Sequence, residues 1–219
     1  MKKKASKKIL KKAAKKVGAK ISARTVKAKA KVAVKLVVSA AAVAVRGPGV
    51  GERVPGFALV DQSGKKVSLD DLLGGGPVVI YFYPKADSSG CTAETCEFDA
   101  GLAELKGLKG LKGAGGARVV GISPDKAGLV AKFATKHGVR FSLLSDEPSA
   151  AGGKAGKATP LTISAYGVWG EKSMYGNVYM GVLRTTFVID GAGVVLRRWD
   201  NVKVLGHAAE VLAFVRGLV

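Results

Sequence analysis

The chain has 219 residues, of which 36 are Lys or Arg and 16 are Asp or Glu, so its formal net charge is +20. This length has room for one domain of ordinary size plus a tail, which excludes a second large catalytic domain. Two cysteines are too few for the disulfide framework of a small secreted scaffold.

The first segment is strongly basic. Residues 1–46 contain 16 of the basic residues and none of the acidic ones. Lysine pairs alternate with alanine and aliphatic residues, which would give a basic amphipathic helix if the segment folds. Three interpretations stay open: a solvated disordered extension, a tether to nucleic acid or another anionic surface, and a targeting peptide. We expect a cytoplasmic protein, with a plastid or mitochondrion as the alternative if residues 1–46 are a transit peptide.

Residues 47–219 are predicted to form one domain in which strands alternate with helices. The predicted order is a hairpin (57–60 and 66–67), a strand (78–83), a helix (91–108), a strand (118–123), a helix (126–137), a strand (141–144), two strands (184–190 and 194–199) and a helix (207–215). This order indicates an α/β fold with a mixed central β-sheet flanked by helices. The Gly/Ala/Lys-rich segment Pro148 to Thr162 has the composition of a mobile surface loop.

The first of the two cysteines follows the predicted central strand. Val78 to Tyr83 is a β-branched and aromatic run, and the loop after it ends at Gly90 and Cys91. No helix breaker follows, so Cys91 is predicted to lie in the first turn of a helix. Unpaired N–H groups and the positive end of the helix dipole favour a thiolate there. An ordinary buried cysteine is the alternative interpretation.

The second cysteine is five residues further along the same predicted helix. Ideal helix geometry separates the Cα atoms of Cys91 and Cys96 by about 8.6 Å, which is too far for a disulfide bond. Such a bond would therefore require this turn of the helix to unwind. A metal site is not expected, because the two cysteines lack a second ligand pair and His137 and His207 are distant in sequence.

These residues together resemble a known family. Pro84, Ser88 and Cys91 match the pattern Pro-x-x-x-Thr/Ser-x-x-Cys, and Cys96 stands where a second cysteine is expected. The chain from about residue 50 to residue 219 resembles the peroxiredoxin Q group, also called bacterioferritin comigratory protein, whose members are thiol peroxidases with a thioredoxin fold. Segments at 120–125, 141–146, 166–173 and 184–190 follow in the family's order. Ser88 stands where the family often has Thr, but it keeps the hydroxyl group.

The resemblance implies roles for five residues. Cys91 would be the peroxidatic cysteine and Cys96 the resolving cysteine, while Pro84, Ser88 and Arg184 would shape the site. A buried Cys96 that never pairs is the alternative, and it would leave a one-cysteine enzyme that uses an external thiol. The implied substrates are hydrogen peroxide and organic hydroperoxides, and the implied reductant is thioredoxin or a similar dithiol protein. No cofactor or metal is implied, and we expect a monomer.

A rival hypothesis assigns no catalysis to the domain. In it, a thioredoxin-fold module acts as a redox sensor or a passive unit carried by a basic tail that binds nucleic acid. A disulfide reductase is disfavoured, because such enzymes place C-x-x-C at the start of the helix.

Overall fold

The computed structural model describes residues 46–108, 116–149, 158–174 and 176–218, so the predictions made for residues 1–45 lie outside the described residues. Within these ranges the elements are β1 (Ala58–Asp61), β2 (Lys66–Ser68), α1 (Leu69–Leu72), β3 (Val78–Phe82), α2 (Ser89–Gly107), β4 (Arg118–Ser123), α3 (Ala127–His137), β5 (Ser142–Ser145), α4 (Leu161–Ala165), β6 (Trp169–Met174), β7 (Asn177–Val182), β8 (Thr185–Ile189), β9 (Val195–Trp199) and α5 (His207–Arg216). The described helices include none that is both long and apolar enough to cross a membrane.

Seven strands form a mixed sheet in the order β2-β1-β5-β4-β3-β8-β9. Strand β3 runs parallel to β4 and antiparallel to β8, while β4 and β5 are parallel. Strands β6 and β7 form a separate antiparallel pair. The mixed central sheet flanked by helices confirms the predicted fold class.

The central strand β3 is buried on both faces, which explains its continuous apolar sequence. Its side chains alternate between two hydrophobic clusters. Val79 and Tyr81 pack with residues of α2, α3 and α5, whereas Ile80 and Phe82 pack on the opposite face, with residues of α1 and α4. The end of β3 is thereby fixed in the middle of the domain.

Helix α2 is anchored to β3 by polar and aromatic contacts. The hydroxyl groups of Tyr81 and Thr95 lie 2.9 Å apart in a buried hydrogen bond, and the rings of Tyr81 and Phe98 are 5.0 Å apart. On its other side α2 packs against α5, where a Cβ atom at Gly101 would lie 2.5 Å from Leu212 Cδ1. The start of α2 is therefore held at the end of β3.

Two regions differ from the sequence-based prediction. The hairpin β6–β7 was not predicted, although residues 169–182 form a regular six-residue ladder. Helix α4 begins at Leu161, inside the segment expected to be a loop. Residues 150–157 of that segment lie outside the described residues, and Ser149 and Thr159 on its two sides form an antiparallel bridge.

Candidate active site

The loop between β3 and α2 is held by two carboxylates. The backbone N–H of Ala86 donates to Asp125 Oδ2 at 2.6 Å. Asp87 has a positive φ of 58°, and its carboxylate accepts a bond from Lys136 Nζ at 2.7 Å and lies 3.0 Å from His137 Nε2. These hydrogen bonds to His137 and Lys136 hold the pKa of Asp87 below its usual value. The loop is thus fastened to the end of α3.

Cys91 lies in the first turn of α2, as predicted. Ser88 is the N-cap residue, with extended backbone angles, and its carbonyl accepts the N–H of Thr92 at 2.8 Å. The Cys91 side chain is fully buried and forms no disulfide bond. A sulfur in the first turn of a helix lies near the positive end of the helix dipole, which favours negative charge.

Arg184 provides a cation at this thiol. It immediately precedes β8, whose first residue, Thr185, pairs with the last residue of β3, Phe82. Its carbonyl accepts the N–H of Val202 at 3.0 Å, which fixes the backbone. The Nη2 atom then lies 3.0 Å from Cys91 Sγ. A guanidinium group in this position can stabilise a thiolate and a second negative charge that develops beside it.

Glu94 orients the same guanidinium group. Its Oε2 atom lies 2.7 Å from Arg184 Nη1, and its side chain is only 1% exposed. Burial raises the pKa of Glu94 to about 7, although the Arg184 charge opposes this change. The Nη1 atom of Arg184 therefore contacts a carboxyl group, and its Nη2 atom contacts the sulfur of Cys91.

The other predicted site residues lie nearby, but their described contacts do not include the Cys91 sulfur. The Ser88 hydroxyl donates to the Lys85 carbonyl at 3.1 Å, and Pro84 is half-buried at the start of the loop. Cys96 is exposed and free on the same intact helix. Cys91 and Arg184 are thus the two predicted site residues that the structure brings into direct contact.

Sequence reasoning missed Glu94, although a signal was present. Glu94 stands three residues after Cys91, and residues at this spacing share one face of a helix. Glu94 lies on the same buried helix face as the thiol, and a buried carboxylate requires a cation. Arg184 supplies this cation. Among the described residues, no group of three His, Cys, Asp or Glu side chains is placed to hold a metal ion.

A thioredoxin-like fold with a buried thiol at a helix start and an arginine beside the sulfur defines a thiol-dependent oxidoreductase. The family model described as the AhpC/TSA family matches residues 50–198. The chain therefore belongs to the AhpC/TSA family of peroxiredoxins, and it is a peroxidase.

Curated and solved relatives agree on the group within this family. Peroxiredoxin Bcp of Escherichia coli strain K12 is 37% identical over 166 residues, which is 76% of this chain and 94% of the relative. A solved peroxiredoxin Q from Xanthomonas campestris is 34% identical with a TM-score of 0.61, and the match covers 74% of this chain and 92% of that one. The resemblance to the peroxiredoxin Q group is thus confirmed.

Another solved structure concerns the alkyl peroxide reduction activity of the Xanthomonas campestris bacterioferritin comigratory protein. It is 34% identical to this chain with a TM-score of 0.60, and the match covers 74% of this chain and 90% of that one.

Proposed function

We propose that Cys91 reduces hydrogen peroxide and organic hydroperoxides by direct attack on the O–O bond. The Cys91 thiolate attacks the terminal oxygen, the O–O bond breaks, and the remaining oxygen leaves as hydroxide or alkoxide and takes up a proton. Cys91 becomes a sulfenic acid, and the peroxide is reduced to water or an alcohol. The alkyl peroxide activity reported for the Xanthomonas relative supports the inclusion of organic hydroperoxides.

The contact between Arg184 and the Cys91 sulfur is the observation that carries this proposal. Negative charge moves during the reaction from sulfur to the leaving oxygen, so a donor near both atoms lowers the barrier. Arg184 Nη2 is already 3.0 Å from the sulfur. The guanidinium group presents a planar fork of several N–H donors, which suits it to this task.

Cys96 is proposed to resolve the sulfenic acid. Its thiol attacks the Cys91 sulfur, a disulfide bond forms, and the hydroxyl group leaves as water. Cys91 is buried and Cys96 is exposed on one continuous helix. The geometry of a disulfide bond cannot be met across five residues of an intact helix, so the start of α2 must open. Thioredoxin or a similar dithiol protein would then reduce the exposed disulfide through a mixed disulfide.

The test is peroxide consumption by the pre-reduced protein with thioredoxin, thioredoxin reductase and NADPH. We expect turnover by the wild type, no reaction of Cys91→Ser, and stalling of Cys96→Ser after one turnover. Mass spectrometry of the stalled variant should find one added oxygen on Cys91. Unimpaired turnover by Cys91→Ser would refute the assignment of the nucleophile, and full thioredoxin-driven turnover by Cys96→Ser would refute only the resolving role.

We also propose that the basic tail binds an anionic polymer such as DNA. Residues 1–46 carry 16 basic residues and no acidic residue, and such segments bind phosphate backbones with a strong dependence on salt. The full chain should therefore be retained on DNA at low salt and released as salt rises, whereas a variant without residues 1–46 should not be retained. Equal retention of the two proteins would refute this role. Peroxide turnover should be the same for both.

A further inference from the structure

Lys172 is a half-buried lysine on β6 whose side chain reaches the next strand. Its Nζ atom donates to the carbonyl oxygen of Val182 at 3.1 Å. The Lys172 side chain can cross Gly181 because this glycine has no side chain. A Cβ atom there would lie 3.2 Å from Lys172 Cδ. Val182 is buried and stands two residues before Arg184. The bond therefore fixes the segment that delivers the arginine to the site.

The ammonium group of Lys172 has no carboxylate partner among the described residues, since none of the ion pairs there includes it. Its cross-strand neighbour is Tyr179, and the adjacent Glu171 is exposed. Burial and the charge of Arg184 lower the pKa of Lys172, and Cys91 raises it. The Val182 carbonyl that the ammonium group contacts stands two residues before Arg184, so the ammonium group lies beside the segment that leads into the site.

This arrangement matters because the charge of Arg184 is balanced by Glu94 at a pH above about 7, where Glu94 is ionised. When Glu94 is ionised, the Arg184–Glu94 pair carries no net charge, so it offers the Cys91 thiolate a dipole with one hydrogen bond. A half-buried ammonium group without a carboxylate partner can stabilise a negative charge that forms nearby. The Cys91 thiolate is such a charge.

We propose that Lys172 is a positioning residue of the peroxidase: it anchors the Val182 carbonyl ahead of Arg184 and supplies the net positive charge that stabilises the Cys91 thiolate. The inference rests on the proposed role of Cys91 as the peroxidatic residue. A loss of this charge should make the thiolate harder to form and slow the attack on peroxide.

The experiment uses the full chain in a Cys96→Ser background, so that Cys91 is the only thiol. Thiolate formation is followed by absorbance at 240 nm against pH, with the double variant Cys91→Ser/Cys96→Ser as the blank. The rate of Cys91 oxidation by hydrogen peroxide is measured in parallel. The variants are Lys172→Met, which removes the charge and keeps the apolar stem, and Lys172→Arg, which keeps the charge. Lys66→Met removes an exposed charge from the edge strand β2 as the matched control.

For Lys172→Met we expect the midpoint of thiolate formation to rise by about 0.5–1 pH unit, with a roughly three- to tenfold slower oxidation below that midpoint. Lys172→Arg should restore most of the wild-type behaviour, and Lys66→Met should match the wild type. If Lys172→Met does not fold, Lys172→Gln is measured with the same expectation.

An unchanged midpoint in a folded Lys172 variant without the charge would overturn the proposal, and so would a Lys172→Arg protein that behaves like Lys172→Met. Either result leaves the proposed function intact if peroxide still oxidises Cys91 in the parent protein. Failure of the parent protein to form a sulfenic acid would instead refute the role of Cys91 itself. The two failures are therefore distinguishable.

Discussion

Arg184 and Cys91 are 93 residues apart in the chain, yet the Nη2 atom of the arginine lies 3.0 Å from the sulfur of the cysteine. The antiparallel pairing of β3 and β8 brings them together, because Phe82 at the end of β3 is opposite Thr185 at the start of β8. Cys91 comes soon after the end of β3, and Arg184 comes just before the start of β8. The two residues therefore meet at the same end of this pair of strands.

The replacement of Arg184 by lysine tests whether the planar fork is needed. A lysine lacks the two separate nitrogen atoms by which Arg184 contacts Glu94 and the sulfur. Arg184→Lys should therefore lower the rate constant for hydrogen peroxide by about 10- to 100-fold and Arg184→Met by about 100- to 1000-fold. Stopped-flow measurement of the first turnover gives these rates. Arg216→Lys, which changes an exposed arginine on α5, is the control and should retain the wild-type rate.

Much of the fold could be predicted because its central elements have strong local patterns. The strand Val78–Phe82 is apolar throughout and follows a Gly-Pro pair, and the structure buries all five of its residues. The hairpin β6–β7 could not be predicted in this way, since Asn177 to Met180 are all exposed. A strand that is exposed on both faces has no alternation of apolar and polar residues to detect.

The site was predictable only in part. The position of Cys91 at a helix start followed from the sequence alone, while Arg184 was identified through the family resemblance. Its contact with Cys91 depends on strand pairing across 93 residues, which local sequence patterns do not specify. The Asp87 contacts with Lys136 and His137 were missed for the same reason.

The pH dependence of stability should report on Glu94. Its pKa is about 7 in the folded protein against an ordinary value of 4.5, so the folded state binds more protons than the unfolded state between these two values. The contribution of Glu94 to the free energy of unfolding is therefore fully present below pH 4.5 and is lost as the pH rises through 7, by at most about 3 kcal/mol.

Glu94→Gln removes this titration and keeps the shape of the side chain. Urea unfolding of the reduced proteins at pH 5 and pH 8 should show a smaller decrease in stability for Glu94→Gln than for the wild type. Other titrating groups, such as Asp146 and His207, are present in both proteins. Their contributions to the pH dependence therefore cancel when the two decreases in stability are compared. The same decrease in both proteins would show that Glu94 does not titrate in this range.

Gly121 on β4 should not tolerate a side chain. A Cβ atom there would lie 2.6 Å from Tyr81 Cζ, and that ring is held by Tyr83 and Phe98 at centroid distances of 5.5 and 5.0 Å. Gly121→Ala should lower the free energy of unfolding by about 1–3 kcal/mol. In the control, Gly128→Ala, open space surrounds the new methyl group in helix α3, and the change should stabilise the protein by about 0.5–1 kcal/mol. Urea denaturation measures both effects.

The ion pairs of Asp87 should control how readily the site opens to form the disulfide. Its carboxylate joins the loop before α2 to Lys136 and His137. In the proposed mechanism that loop would move when Cys91 leaves its buried position to reach Cys96. Asp87→Asn removes the charge, and asparagine tolerates the positive φ found at this position. The state in which the start of α2 is open should therefore become more populated. Disulfide formation after oxidation should then be about two- to fivefold faster.

This change is measured by acid quenching at successive times after one equivalent of peroxide, with mass spectrometry of the disulfide. Since the sulfenic acid then has a shorter lifetime, the fraction of Cys91 oxidised further to sulfinic acid under excess peroxide should fall. Asp200→Asn is a matched control, because it removes a similarly exposed carboxylate whose ion pair with Arg198 lies outside this loop. An Asp87→Asn protein that resolves no faster than Asp200→Asn would show that these contacts do not limit the opening of α2, and the barrier would then lie in the helix turn itself.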